Sequence, residues 1–290
     1  MERPGGVLAA AHRGLDASTR RWWRLVGRRI DLEGEHTWLD APMASGAVVR
    51  DGWLEEAAGR MGAGLEPPTA GAGLLADLAD LDGPGFSATG VAREIRDFYA
   101  HTADWRMDAW SQWSPLFAPG GALVEGLFGR RVGQLALPVR PLDVSRGIDS
   151  NVHVFRSGTG EQVAAAWLRT LRSTGDYLFS GLYRVARLPG IAQPCVHVAF
   201  PLEDGNVQVF LRPEAGPDGS FVLTSPPGPF GSVGAYVVAR AGGVVSAAKL
   251  PLHERFRLYL DPEQVLRTDH DLWLGRARVL QLHYRLVPRE

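Results

Sequence analysis

The sequence predicts an α+β protein: a helical N-terminal segment packed on an antiparallel β-barrel or strongly curled β-sheet of about nine or ten strands. Three observations lead there. From about residue 134 the apolar residues mostly recur with a period of two, the spacing at which a strand turns one face to a core. Short turn sequences separate these runs: Asp204-Gly205-Asn206, Pro217-Asp218-Gly219, Ala241-Gly242-Gly243 and Asp261-Pro262. Spacers this short join hairpins and leave no room for the crossover helices of a parallel sheet. A sheet of that many hairpin-joined strands curls into a barrel or folds into a sandwich.

The elements follow in order, with a division at residue 88: a helical, loop-rich segment over 1–88 and a helix-capped antiparallel β domain over 89–290. Asp16-Ala17-Ser18 opens a helix-like stretch through Trp22, Trp23, Leu25, Val26 and Ile30. Arg20, Arg21, Arg24, Arg28 and Arg29 surround those positions and read as a solvated face beside a packed tryptophan stripe. Trp53, Leu54, Ala57, Ala58 and Met61 recur at helical spacing. Leu74, Leu75, Leu78 and Leu81 form another short apolar face, ended by Asp82-Gly83-Pro84-Gly85. Residues 89–133 are the strongest helical block: Ile95, Phe98, Tyr99 and Thr102 share a face, and Trp105, Met107, Ala109, Trp110 and Trp113 extend it. A helix over 89–117 is expected to cover one end of the barrel.

In the β region one helix is expected, from the spacing of Val163, Trp167, Leu168 and Leu171. Strands are read at Val196 to Phe200, Val207 to Leu211 and Phe256 to Leu260. The last run is the clearest. Leu280, Leu282, Tyr284 and Leu286 point one way, and Val279, Gln281, His283 and Arg285 the other.

Composition narrows the function. Hydrophobic residues make up 45% of the chain, enough for a sizeable core. A net charge of −1 provides no global field for nucleic acid. The one cysteine, Cys195, excludes a disulfide framework and a cysteine-based metal site. Met1-Glu2-Arg3-Pro4-Gly5-Gly6 does not begin a signal peptide, and the apolar runs fall short of the roughly 20 residues of a membrane span. A cytoplasmic protein without a membrane span is expected. No nucleophile elbow, phosphate loop or His-Glu-x-x-His motif occurs, and no cofactor or metal is expected.

The densest titratable cluster is Asp269-His270-Asp271. In a strand the two carboxylates share one face and His270 takes the other. His283 and Arg285 share a polar face with Gln281. If that face lines a cavity, His283 or Asp269 can move a proton and Arg285 can steady developing negative charge, while Tyr284 belongs to the packed side. If it faces outward, these are ordinary surface residues. Trp110, Trp113, Tyr183 and Gln281 complete the candidate lining. The reading is a barrel that binds a small hydrophobic metabolite, with cyclase or isomerase chemistry by acid and base as its enzymatic form. The alternative is a non-enzymatic interaction or regulatory domain.

One further signal is the order of segments. Phe98-Tyr99-x-x-Thr102 leads to Trp110-Ser111-x-Trp113. Gln134-Leu135-x-Leu137-Pro138 precedes Ser145-Arg146-Gly147, and Phe200-Pro201-Leu202-x-x-Gly205-Asn206 and Leu211-Arg212-Pro213-Glu214 follow. With the Asp-His and Leu-His-Tyr-Arg endings, this set resembles the C-terminal soluble region of YndJ-like proteins and their stand-alone actinobacterial relatives, over roughly residues 95–287. The resemblance implies a shared fold and carries over no catalytic residue.

Overall fold

The structure, a computed structural model, describes residues 27–44, 49–114, 147–172 and 174–289. Among them the chain forms two α-helices and a single fourteen-stranded sheet in which every strand pair is antiparallel. The helices are α1 (Leu54–Met61) and α2 (Arg93–Ala100). The strands are β1 (Arg28–Arg29), β2 (Gly64–Leu65), β3 (Trp105–Trp113), β4 (Ile148–Arg156), β5 (Gln162–Leu171), β6 (Tyr177–Ala186) and β7 (Cys195–Leu202). They continue with β8 (Gly205–Ala215), β9 (Phe221–Thr224), β10 (Gly234–Ala241), β11 (Val244–Lys249), β12 (Leu252–Leu260), β13 (Leu266–Leu274) and β14 (Ala277–Pro288).

The main path runs β2-β4-β5-β6-β7-β8-β9-β12-β13-β14-β3. It forks at β8, whose first half pairs with β10 and whose second half pairs with β9. β10 continues to β11 through Gly242 and Gly243, both at positive φ (58° and 76°). A two-residue hairpin loop needs that left-handed backbone twice, and glycine adopts it without strain.

The sheet curls but does not close. β3 and β4 lie near opposite ends of the path and share no backbone ladder. Their side chains nevertheless meet: Arg169 on β5 donates from Nη1 to Met107 Sδ on β3 at 3.0 Å, and Ala109 packs with Ile148, Leu171 and Leu178. A closed barrel is therefore not what these strands form.

The curl gives the sheet an inner and an outer face. One end of the inner face is filled by α2, through Ile95, Phe98 and Tyr99, and by the segment carrying Leu74, Leu75, Leu78, Leu81, Phe86 and Val91. These pack on Val152, Ala165, Val196, Leu211, Phe221, Leu258, Leu266 and Leu286. Each large side chain buried there contributes about 1.5–3 kcal/mol. On the outer face α1 places Leu54, Ala57 and Ala58 on Ala164, Ala166, Leu168, Leu182 and Ala199. The alanines let the helix axis come close to the sheet. The segment around Leu39 and Met43 covers Phe210, Tyr236 and Val238 on the same face. Arg184, Asn206 and Gln208 hold that segment by donating to the carbonyls of Asp40 (2.6 Å), Ala41 (3.2 Å) and Leu39 (2.9 Å).

Two expectations are corrected. The block read as one helix over 89–117 is helical only from Arg93 to Ala100; Trp105 to Trp113 is an edge strand paired with β14. The helix read from Val163 to Leu171 is strand β5. β5 is apolar on both faces, because Ala165 and Trp167 join the inner core while Ala164, Ala166 and Leu168 lie under α1. Burial on both sides erases the period of two. Most of the helix expected from Asp16 lies outside the described residues; of its positions, Arg28 and Arg29 form β1 and Ile30 is buried beside it.

Candidate functional site

Away from the filled end, the inner face changes character. Arg169, Tyr183, Phe200, Glu254, Phe256, His270 and Tyr284 lie on it and regain part of their exposure. The strand register sets this arrangement. Tyr284 stands opposite Thr268, His270 opposite Phe256 and Tyr183 opposite Val198, all in phase with the buried leucines and valines of their strands. Arg169 is opposite Phe179 on β6. The curl then brings the β5–β6 wall to the β12–β14 wall, so that Arg169 faces Tyr284 and His270. Glu254 and His270 retain only 14% and 13% of their side-chain surface, although they lie deep in the fold. We take the part of this face that keeps accessible surface as a candidate recess; the His270 ring nitrogens and Arg169 Nε on it are themselves closed off from solvent.

The geometry of this recess is specific. The Arg169 guanidinium lies 4.4 Å from the Trp167 ring centroid, 4.7 Å from Phe179 and 5.9 Å from Tyr284. His270 stacks on Phe256 with centroids 3.7 Å apart. Its Nε2 is 3.9 Å from Glu254 Oε2, too far for a hydrogen bond, and among the described residues neither ring nitrogen has a partner. Arg169 Nε also has none among them. Buried polar groups are nearly always satisfied, so two such residues in one recess call for an explanation.

Burial also sets the charges. It pushes the Glu254 carboxyl up to about 7, since nothing nearby compensates a buried carboxylate. Burial pushes His270 down to about 3, with the Arg169 charge adding to the effect. Tyr183 and Tyr284 are raised by burial and partly opposed by Arg169. At neutral pH the recess therefore holds one cation, a neutral imidazole and a carboxyl that can either give or accept a proton.

The residues expected from sequence are divided by the sheet. Tyr183 lies in the recess. Asp269, Gln281, His283, Arg285 and Trp110 share the outer face of β3, β13 and β14. There His283 Nδ1 meets Asp269 Oδ1 at 2.8 Å, and Trp110, 51% exposed, lies against the His283 ring at 5.9 Å. Arg285 is 3.8 Å from Asp108. The cavity placement of His283 and Arg285 is thus corrected: the face turned to the core carries Tyr284 and His270 instead. Trp113 ends β3, and its side chain lies outside the described residues. Arg169, Glu254, His270 and Tyr284 were not expected as site residues. The signal for them was a polar residue standing in the apolar phase of an alternating strand, as Glu254 does between Leu252 and Phe256.

Comparison with known proteins gives one similarity. The chain is similar to the uncharacterised membrane protein YndJ of Bacillus subtilis, with 30% identity over 217 residues. The match covers 74% of this chain and 38% of that protein, so the chain spans well under half of the relative's length. The YndJ-like resemblance read from the ordered segments is thereby shown. No family model matches the chain, and no solved structure matches it. Among the described residues, no helix is long and apolar enough to cross a membrane.

Proposed function

We propose that this YndJ-like chain binds a small hydrophobic molecule in the recess between β5–β6 and β12–β14. The observation that carries the reading is His270: buried on the apolar face, stacked on Phe256 and, among the described residues, without a partner on either ring nitrogen. Such a group is stable where a ligand completes its bonds. Phe179, Phe200 and Phe256 offer the apolar contact area. Glu254, ionising near neutrality, fits the acid and base roles of an isomerase or cyclase. The reading has no nucleic-acid partner, in keeping with the net charge of −1, and places the protein in the cytoplasm.

A second reading has its own observation. Trp110 is half exposed on the outer face beside the Asp269–His283 pair, which suits a non-enzymatic interaction surface. Titration with the neutral fluorophore N-phenyl-1-naphthylamine separates the two. The recess predicts saturable one-to-one binding, weakened by Phe200→Ala and unchanged by Trp110→Ala. Loss of binding in Trp110→Ala alone supports the outer face.

A further inference from the structure

We infer that the molecule held in the recess carries a single carboxylate, and that this carboxylate pairs with Arg169. The inference rests on the recess being a binding site and adds the chemical class of its ligand. It starts from a count of hydrogen-bonding groups. A guanidinium has five N–H donors in one plane and no acceptor. Trp167 and Phe179 lie against the Arg169 guanidinium from one side, at 4.4 and 4.7 Å from their ring centroids, with the two rings 5.5 Å apart. Nη1 donates to the Met107 thioether at 3.0 Å, a weak acceptor, and Nε has no acceptor among the described residues. The guanidinium also donates to the Tyr284 hydroxyl.

No carboxylate of the described residues forms an ion pair with Arg169, whereas Arg60, Arg156, Arg172, Arg212, Arg257 and Arg267 all have one. The acid of the recess, Glu254, stands by His270 instead. His270, neutral, adds one N–H donor and one acceptor nitrogen, neither with a partner among the described residues. Among the described residues Arg169 is therefore a cation without an anion and with an N–H left over. A carboxylate corrects both: its two oxygens match the guanidinium fork, and its single charge matches a single arginine. A phosphate dianion would need more positive charge than the recess supplies. The aromatic walls then take an apolar body.

The test compares 4-phenylbutyrate with its methyl ester on the wild-type protein at neutral pH, by displacement of N-phenyl-1-naphthylamine. The acid is expected to bind roughly ten- to a hundredfold more tightly than the ester. Arg169→Met removes that preference, and Arg169→Lys keeps part of it. Equal affinity of acid and ester, or a preference for the ester, overturns the carboxylate and leaves the recess reading standing. Failure of the neutral probe to bind wild type overturns the recess reading itself. Should Arg169→Met not fold, the acid and ester pair on wild type decides alone.

Discussion

Replacing Glu254 by glutamine tests the electrostatics of the recess directly. An ordinary glutamate ionises near 4.5, and burial moves Glu254 to about 7. Between those pH values the folded protein keeps a proton that the unfolded chain has released. The contribution of this group to stability therefore falls as pH rises from 4.5 through 7 and is constant above that. At 1.36 kcal/mol per pKa unit, the full change is about 3 kcal/mol. Glutamine has no proton to lose, so Glu254→Gln should gain about 3 kcal/mol on wild type between pH 4.5 and about pH 8. His270 acts in the opposite sense. Held neutral down to about 3, it adds stability as pH rises from 3 to 6.5. That term is common to both proteins and cancels in the difference. Urea unfolding of both proteins across this range measures the effect. Parallel stability curves would refute the reasoning, because they would place Glu254 in water.

Other substitutions probe the parts that position the recess. Gln208 accepts from His197 Nε2 at 2.7 Å and donates to Leu39 O and Asn206 Oδ1; Gln208→Leu leaves these groups unpaired and should cost roughly 2–4 kcal/mol, with faster amide exchange around Leu39 to Met43. A Cβ at Gly73 would stand 2.2 Å from the Ala100 carbonyl oxygen at the end of α2, so Gly73→Ala should lower stability by about 2 kcal/mol, seen as a fall of several degrees in Tm. The outer pair is a contrast: Asp269→Asn should cost less than about 1 kcal/mol, since the pair is about one-third exposed, and should leave probe binding unchanged.

β7, β8, β12 and β14 were legible because polar or small residues take alternate positions in their sequences. In β7 and β8 both faces are buried, and the second phase still carries His197, Asn206 and Gln208. β5 was not legible, since a strand covered on both sides has no polar phase to reveal it. β3 was hidden for another reason: its tryptophans continue the aromatic density of α2, and the short turn at Thr102–Asp104 that separates them has no glycine or proline. Alternation also divided Asp269-His270-Asp271 correctly between faces. The error at the site was one of chemistry. Polar residues were assigned to the polar face, whereas the informative ones, Glu254, His270 and Tyr284, interrupt the apolar face. Arg169 could not be placed from sequence, because its role depends on a curl that joins β5 to β14 across more than a hundred residues.

The central claim is that the recess, and not the outer face, takes a small apolar molecule. Crystals soaked with iodobenzene test it most directly, since the iodine can be located by its anomalous scattering. The account predicts a peak on the inner face among Phe179, Phe200 and Phe256. A peak only beside Trp110, or none in the recess at saturating iodobenzene, would contradict it.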